Sequence, residues 1–391
     1  MSYQSTAKTV CPMADRDDRK SAVAAQMPFD IGDMRIVRDY SEARSLLRNP
    51  HARQAGFLAD LVQKVSLTRA PILYQHGAEH RRQRGATARF FAPRVVTTVY
   101  RSLMERTSDA LVDRFRAAGR IDLDELGLEM AVTIAAEIVG LTDSDRGGMS
   151  RRLGVLVTGM PTGNSRLATI AGFVRGQARA MNFLIRDVRP AIAMRRRHRR
   201  DDVISHLLDE GYSDREILTE CLTYGAAGMI TTREFITMAG WHLLEDDGLR
   251  TRFLEGDEAI RIAMLEEILR LEPVVGMLFR RVDTGGTDDK APVVALDVRG
   301  ANGDETAMGE CPHRIDPDRK TVNKAGGAGL AFGDGEHRCP GAQVALQETA
   351  IFLDRLLRVP GIRLERAPDI GWNALIAGYE LRGAALVCDT L

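Results

Sequence analysis

The sequence predicts a large, mainly α-helical body with a smaller β-sheet part. Long runs with helical apolar spacing begin at capping residues, as amphipathic helices do. Strand signals are few and come late in the chain, and strands and helices do not alternate as they would in a doubly wound sheet. At 391 residues the chain could hold two average domains or one large one, and either could bury a substantial core.

The helix signals fall in order along the chain. Ser41 is placed to cap an early helix. Ser213 and Glu216 form a capping box that opens a long helix over about 214–244. A further amphipathic run covers 258–271 and ends just before a proline, which cannot continue a helix. These runs supply most of the predicted body.

Two late segments predict strands. Val294, Leu296 and Val298 alternate with less apolar neighbours, which is the period of a strand with one buried face. A short apolar run over 384–387 is the second candidate. The expected sheet part is therefore small.

Charge and composition exclude several classes of protein. Lysine plus arginine and aspartate plus glutamate are equal at 54 each, so no overall field attracts nucleic acid or an anionic membrane. Five widely spaced cysteines without a CxxC pair indicate a reducing compartment. The N-terminus lacks the apolar core of a signal peptide, and the longest nearly uncharged run, 221–232, is too short for a membrane span. We expect a cytoplasmic protein without a membrane anchor.

One stretch, LAFGDGEHRCPGAQVALQE over 330–348, concentrates the candidate chemistry. Cys339 stands directly before a helix-forming run, where backbone N–H groups and the helix dipole lower the pKa of a thiol. Glycines on both sides relieve the steric limits of the loop, so a flat group can approach the backbone closely. His337 and Arg338 add positive charge on the same side.

The residue types leave several roles open for Cys339. A buried structural cysteine is the common role of a lone cysteine, and a nucleophile is also possible. A zinc site is disfavoured because no second cysteine or histidine lies at zinc spacing. The remaining role is a thiolate ligand to haem iron.

The stretch resembles the haem-binding signature of the cytochrome P450 superfamily, in the form of its soluble bacterial members. The matching residues are Phe332, Gly333, Gly335, His337, Cys339 and Gly341, in the pattern FGxGxHxCxG. In the family's order, Glu267 and Arg270 match the ExxR pair, 315–319 resembles the segment before the haem loop, and His80, Arg84, Phe91 and Pro93 resemble the C-helix segment. The resemblance implies the P450 fold, with haem b between the long I helix and the L helix.

The resemblance also assigns residues to the cofactor. It implies Cys339 as the iron ligand, Phe332 and Gly341 as parts of its loop, and Glu267 with Arg270 as a buried bracing pair. Four residues resemble the family's propionate ligands, with Arg280 left open as the partner in place of its neighbour: His80, Arg84, Arg281 and His337. One haem domain is expected over 31–391, after a short lead-in over 1–30.

The long helix carries the expected catalytic groove. Ala227, Gly228 and Thr231 match the family's I helix, where the threonine binds the iron-bound oxygen, although close helix packing also explains a glycine there. Ile230 stands where the family usually has an acid, so we expect substrate groups or ordered water to bring protons. Glu234, one turn later, is a weaker candidate.

The implied function is a haem-thiolate monooxygenase that inserts one atom of O2 into a small-to-medium organic molecule. Ile230 keeps a different outcome open, such as oxidative coupling, desaturation or peroxide-driven oxidation, and a non-enzymatic haem protein is a third class. By resemblance, the substrate pocket also includes four mostly small or apolar residues: Gly276, Met277, Phe279 and Ala377.

Electrons are expected from a separate ferredoxin and its reductase, since no flavin or iron–sulfur motif follows the haem signature. A basic cluster on the segment resembling the C helix is a candidate docking face, although a solvated basic helix is equally consistent. It comprises Arg81, Arg82, Arg84, Arg89 and Arg94. The run RRRHRR over 195–200 is expected to be a solvated helix end.

Overall fold

The computed structural model describes residues 34–56, 69–157, 175–176, 178–282, 291–319, 325–373 and 376–389. The expected lead-in over 1–30 lies outside these ranges.

Helices form most of the described chain, as the sequence predicts. They are α1 Tyr40–Arg48, α2 Gly77–Thr87, α3 Pro93–Val95, α4 Arg101–Ala118, α5 Leu123–Val139, α6 Arg146–Val157, α7 Arg189–Arg197, α8 Val203–Asp209, α9 Asp214–Tyr224, α10 Thr231–Glu245, α11 Asp247–Glu255, α12 Glu258–Leu271, α13 Val298–Asn302, α14 Glu305–Met308 and α15 Ala342–Leu356. Short 3₁₀ turns cover Ile72–Tyr74, Ala88–Phe91 and Gly335–His337, and π-helical turns cover Val96–Tyr100, Leu184–Val188 and Gly225–Ile230.

Three small sheets complete the fold. Their strands are β1 Arg35–Val37, β2 Ala52–Ala55, β3 Arg120–Asp122, β4 Met277–Val282, β5 Val293–Asp297, β6 Arg363–Arg366, β7 Asp369–Asn373, β8 Gly378–Arg382 and β9 Ala385–Val387. The largest sheet has the order β1-β5-β4-β2, in which β1 runs parallel to β5 and the other pairs are antiparallel. The other two have the orders β3-β9-β6 and β7-β8.

The helix boundaries confirm most of the capping arguments. Ser213 and Glu216 form the predicted capping box, and α12 spans 258–271 as expected. The early helix is capped differently: Asp39, rather than Ser41, accepts a hydrogen bond from the N–H of Glu42. A carboxylate just before the first turn meets both the free N–H groups and the positive end of the helix dipole.

The predicted long helix is continuous from α9 to α10, but its middle, Gly225–Ile230, is π-helical. The strand prediction around Val294 is confirmed over β5, whereas Val298 already belongs to α13. Ala295 is buried like Leu296, so both faces of β5 are covered, and burial does not follow a strict alternation.

The main core lies among the helices, and α10 and α15 both contribute apolar side chains to it. A second cluster packs α1 against the largest sheet. No helix in the described ranges is long and apolar enough to cross a membrane. The loop that carries Cys339 joins the two clusters, because Leu330 belongs to the second cluster and Phe332 packs against the main core.

Candidate functional site

The Cys339 loop folds back tightly on itself and on α1. Gly333 and Gly335 have φ of 66° and 69°, a region that only glycine occupies without strain. A Cβ on Gly335 would also lie 2.3 Å from the carbonyl oxygen of Leu47. The N–H of Cys339 donates to the carbonyl of Phe332 at 2.8 Å. These contacts hold the thiol at a defined place before α15.

The thiol of Cys339 lies at the entrance to α15, as the sequence predicts. The N–H groups of Gly341 and Ala342 point to its sulfur and the charge of Arg84 is close, and each of these lowers the pKa of the thiol. Burial acts in the opposite direction and prevails, so the pKa is raised rather than lowered in the protein alone. The expected lowering is therefore wrong for the chain without a cation at the sulfur.

A cavity of about 480 Å³ opens at Cys339. Its wall includes Arg84, Thr87 and Phe91 from α2 and the turn that follows it. Arg84 donates a hydrogen bond to the carbonyl of Arg338 across this cavity. The cavity thus brings the predicted thiol and one predicted anion ligand into one place.

Two histidines from distant parts of the chain stack beside this cavity. The rings of His80 and His337 lie 4.2 Å apart between centroids, with 25° between their planes. His80 is buried, and its Nδ1 has no partner among the described residues. Burial lowers the pKa of His80, and burial together with nearby positive groups lowers the pKa of His337 to about 3. The pair is held neutral in a positive environment.

Of the two neighbouring arginines on β4, Arg280 is the one whose charge reaches this cluster. Arg280 is 3% exposed, donates to Oε1 of Gln54 at 2.6 Å, and lowers the pKa of His337. Burial lowers its own pKa to about 10. Arg281 donates instead to the carbonyl of Ala291. Because side chains alternate along a strand, the two arginines point to opposite faces of β4, and Arg280 is the one whose charge acts on His337.

The long helix presents only part of its predicted groove to open space. Ala227 is exposed and Gly228 and Thr231 are partly exposed, while Ile230 is buried at 1%. The hydroxyl of Thr231 donates to the carbonyl of Ala227. Ile230 therefore belongs to the core side of the helix, and an acid there would be buried among apolar groups.

Close packing does not require the glycine in this groove. A Cβ on Gly228 would meet Cβ of Ala135 at 3.9 Å, an ordinary contact. By comparison, a Cβ on Gly240 would lie 2.6 Å from Leu123. The packing explanation holds for Gly240 but not for Gly228.

Glu234 is held in buried ion pairs. Its carboxylate faces Arg233 and Arg382, with nitrogen–oxygen distances of 2.7 and 2.9 Å, and accepts the N–H of Leu381. These partners engage both oxygens of the carboxylate, so Glu234 ties α10 to β8. The expectation that Glu234 substitutes for an acid at 230 is wrong.

Glu267 and Arg270 form the buried pair that the sequence predicts. Nε of Arg270 lies 2.7 Å from Oε1 of Glu267, and both residues are at most 3% exposed. Arg319 adds a second guanidinium at 2.9 Å, and the N–H of Asp316 donates to the same carboxylate. The network ties α12 to the segment that leads into the Cys339 loop.

The expected substrate residues meet at one apolar cluster. Met277, Phe279 and Ala377 are buried together with Ala295. The N–H of Gly276 donates to the carbonyl of Ala377 at 3.0 Å, which joins the start of β4 to the turn between β7 and β8.

The basic run over 195–200 is not simply a solvated helix end. Arg195 is 1% exposed and binds Asp202, Asp143 and the hydroxyl of Thr142. Its position on the inner face of α7 decides this, and that face could not be assigned from a run of identical charges.

Comparison with known proteins agrees with this architecture. P450BioI, in a crystal structure with an acyl carrier protein bearing hexadec-9Z-enoic acid, matches with a TM-score of 0.73 at 22% identity, covering 90% of this chain and 92% of that one. CYP109B1 from Bacillus subtilis matches with a TM-score of 0.73 at 21% identity over 93% and 96%. No family model matches the sequence.

Curated sequences agree along most of the chain. Cytochrome P450 107B1 of Saccharopolyspora erythraea is 28% identical over 369 residues, which is 89% of this chain and 84% of that protein. The biotin biosynthesis cytochrome P450 of Bacillus subtilis is 26% identical over 85% and 82%. The chain is a bacterial-type cytochrome P450. Members of this superfamily are haem oxidoreductases, with haem b held by a cysteine thiolate.

The described residues of this P450 fit that cofactor. A haem brings two carboxylates. The cluster of Arg84, Arg280, His80 and His337 offers donors, two of them buried (Arg280 and His80), whose described contacts include no carboxylate ion pair. An iron ion beside the sulfur would oppose the burial that raises the pKa of Cys339.

Sequence reasoning left three residues of this P450 unassigned. Arg280 could be named only as an alternative to its neighbour. Arg319 lay in the segment 315–319, but nothing in its spacing showed that it meets Glu267. Glu220, a buried acid on α9, gave no signal because an acid on a helix is ordinarily solvent-exposed.

Proposed function

We propose that this P450 inserts one oxygen atom from O2 into a small-to-medium organic substrate, with Cys339 as the axial ligand of the haem iron. The observation that carries the proposal is the place of the thiol. It lies at the mouth of α15, receives two backbone N–H groups and opens onto a cavity lined by Arg84. When bound, the haem supplies activation of dioxygen, which thiolate donation favours.

The protein's own residues hold and orient the cofactor in this proposal. Arg84 and Arg280 bind its carboxylates, and His80 and His337 donate from their ring nitrogens. Charge-assisted hydrogen bonds of this kind are stronger than neutral ones. Phe332 and Gly341 close the loop on either side of Cys339. The carboxylate of Glu267 holds the segment before that loop in place through Arg319.

Thr231 and Ala227 form the face of the long helix that meets the reacting groups. The hydroxyl of Thr231 can leave the Ala227 carbonyl and hydrogen-bond the oxygen side of the pocket. The apolar cluster of Met277, Phe279 and Ala377 supports a substrate with apolar surface. Gly276 fixes this wall through its hydrogen bond to Ala377.

A non-hydroxylating outcome is the second candidate. Its support is the buried Ile230 beside Thr231, which removes the usual acid from the oxygen side. Curated relatives carry such different names as erythromycin C-12 hydroxylase and nocardicin C N-oxygenase, at 28% and 27% identity. At this distance, reaction type varies among relatives.

A separate ferredoxin and reductase supply the electrons in this proposal. Arg94 and Arg338 are exposed beside residues that line the Cys339 cavity. Arg81 and Arg82 are partly neutralised by Glu336 and by Glu79 with Glu210, respectively. The change Arg94→Glu should slow reduction by an acidic ferredoxin several-fold at low salt, with Arg114→Glu on α4 as the control.

The decisive measurement is the absorption spectrum of the reduced protein with carbon monoxide. The wild-type protein should show the far-red-shifted Soret band of a thiolate ligand, and Cys339→Ser should lose it. Cys388→Ser, which changes a buried cysteine beside the carbonyl of Phe115, should keep it. A band that survives Cys339→Ser would overturn the ligand assignment.

A further inference from the structure

Asp334, in the loop before Cys339, is held by two arginines of α1. Nε of Arg44 lies 2.9 Å and Nε of Arg48 lies 2.8 Å from one carboxylate oxygen, Oδ2. The other oxygen, Oδ1, accepts the N–H of Gly335 at 2.7 Å. Hydrogen bonds between charged partners are stronger than neutral ones. The carboxylate therefore fastens the loop to a helix that lies about 290 residues earlier in the chain.

Partial shielding from solvent distinguishes this contact from an ordinary surface ion pair. The side chains of Arg44 and Asp334 are 23% and 18% exposed, whereas that of Arg48 is 55% exposed. Water screens exposed pairs, so Arg44 should contribute more than Arg48. The two arginines are one helical turn apart and lie on the same side of α1, which lets both reach the same oxygen.

Helix α1 also packs against the loop at two other places. Leu47 is buried in one apolar cluster with Leu330, at the start of the loop. Beyond Asp334, a Cβ on Gly335 would lie 2.3 Å from the carbonyl oxygen of Leu47 and 3.0 Å from Cα of Arg48. Loop and helix therefore approach with no room for a side chain between them. These contacts flank Asp334 on both sides, so α1 holds the whole segment.

The turn that Asp334 caps leads directly to the residues proposed to bind the haem. Its carboxylate caps the 3₁₀ turn Gly335–His337, whose last residue stacks on His80. The N–H of Arg338 closes this turn on its first carbonyl at 3.1 Å, and Cys339 comes next. A change in the position of Asp334 is therefore passed to the sulfur through a single turn of backbone.

A second ion pair reaches the loop from α2 and is weaker by the same criterion. Nη1 of Arg81 lies 3.0 Å from Oε1 of Glu336, but these side chains are 59% and 34% exposed. A pair this exposed contributes little. Of these two ion-pair contacts, the one at Asp334 should therefore restrain the loop more strongly.

We propose that Asp334, clamped by Arg44 and Arg48, is a positioning residue that keeps Cys339 in place as the haem ligand. This inference rests on the proposed function and gives α1, which that proposal leaves without a role, a part in retaining the ligand. Asp334 touches no reacting group and acts only through the loop. The clamp limits how far the sulfur can move away from the iron.

A clamp and a through-space charge effect predict different signs. Through space, the negative charge of Asp334 disfavours a thiolate and the positive charge of Arg44 favours it. Asp334→Asn would then strengthen the thiolate ligation and Arg44→Gln would weaken it. If the residues act as a clamp, both substitutions loosen the loop and weaken the ligation.

The test follows the far-red-shifted Soret band of the haem-loaded, reduced protein under carbon monoxide over time in dilute urea. Asp334→Asn keeps an oxygen that can accept the N–H of Gly335 and removes the charge. It should speed loss of the band roughly tenfold, because two charge-assisted hydrogen bonds are weakened. Arg44→Gln should act in the same direction, and Arg48→Gln should act less.

Non-additivity shows whether the three residues act as one clamp. When Asp334→Asn is added to a variant that carries both Arg44→Gln and Arg48→Gln, the rate should rise no further, because the partners are already gone. Additive effects would overturn the inference. The far-ultraviolet circular dichroism of each variant should stay that of wild type while the band disappears. Loss of the helical signal together with the band would mean unfolding and would equally overturn it.

Glu42→Gln is the matched control, because Glu42 is also on α1 and pairs with the exposed Arg35. It should leave the rate unchanged, and Glu336→Gln should act less than Asp334→Asn. A wild-type rate in Asp334→Asn, or opposite signs for it and Arg44→Gln, overturns the inference while the proposed function stands. If the wild-type protein lacks the thiolate band, the proposed function itself fails.

Discussion

Two buried clusters in this P450 handle charge in opposite ways. In the network of Glu267, Arg270 and Arg319, the carboxylate faces two guanidinium groups at 2.7 and 2.9 Å. In the cluster around Arg280 and His80, cationic or ionisable groups are buried against neutral partners. The first cluster is complete within the described chain, whereas the described contacts of the second include no carboxylate ion pair.

The difference separates scaffold from binding site. A buried ion pair that the chain completes itself stabilises only if every partner is present, and removing one partner is costly. A buried cation without an anion costs stability, which is recovered when a ligand carrying the negative charge binds. We therefore expect mutations in the first cluster to act on folding and mutations in the second to act on cofactor retention.

The change Glu267→Gln should have the largest effect. It leaves Arg270 and Arg319 buried without a carboxylate, so the free energy of unfolding should fall by about 3–5 kcal/mol. Denaturant titration of the haem-free protein measures it. Glu129→Gln is the control, because Glu129 pairs with Arg114 near the surface and should cost below about 1 kcal/mol. Equal losses in the two variants would contradict the scaffold role.

The change Arg280→Gln should leave the haem-free protein as stable as wild type, because it removes a buried charge that has no carboxylate partner among the described residues. It should speed haem dissociation by roughly tenfold to a hundredfold, because one charge-assisted hydrogen bond of about 1.5–3 kcal/mol is lost. Transfer of haem to a scavenger protein measures this rate. Arg281→Gln should change it little, and the opposite ranking of the two variants would restore Arg281 as the ligand.

The change Glu348→Gln should have the smallest effect, and it should raise the free energy of unfolding rather than lower it. Burial raises the pKa of Glu348 well above its ordinary value, so the native state holds a proton that the unfolded chain releases above about pH 4.5. Wild-type stability therefore falls as pH rises from there. The variant should be more stable by about 1–2 kcal/mol at pH 8, with the gap closing toward pH 5. A gap that is constant with pH would show that Glu348 does not titrate.

Much of the site could be predicted because its signals are local in sequence. The cysteine loop, the capping box at Ser213 and the Glu267–Arg270 pair all depend on residues within one turn or loop, where spacing fixes geometry. The same reasoning failed for Ser41, because Asp39, two residues earlier, caps the helix and its carboxylate also meets the positive end of the helix dipole.

The errors share a physical cause. Which face of β4 or α7 is buried depends on what packs against it, so the sequence could not separate Arg280 from Arg281 or find Arg195 in its run of arginines. Glu234 lies one helical turn after Ile230, which is why the sequence suggested it as a substitute for the missing acid. In the folded chain Arg382 of β8 forms an ion pair with it, so its role is structural.

The sequence by itself determined the helical class of the chain, the position of Cys339 before a helix and the pairing of Glu267 with Arg270, because each depends on short-range geometry. Only the tertiary structure decided which charges lack partners. It brought His80 onto His337, turned Arg280 toward them and buried Glu220 where no described cation perturbs it. Desolvation and long-range Coulomb interactions depend on neighbours far apart in the chain, so these properties exist only once the chain has folded.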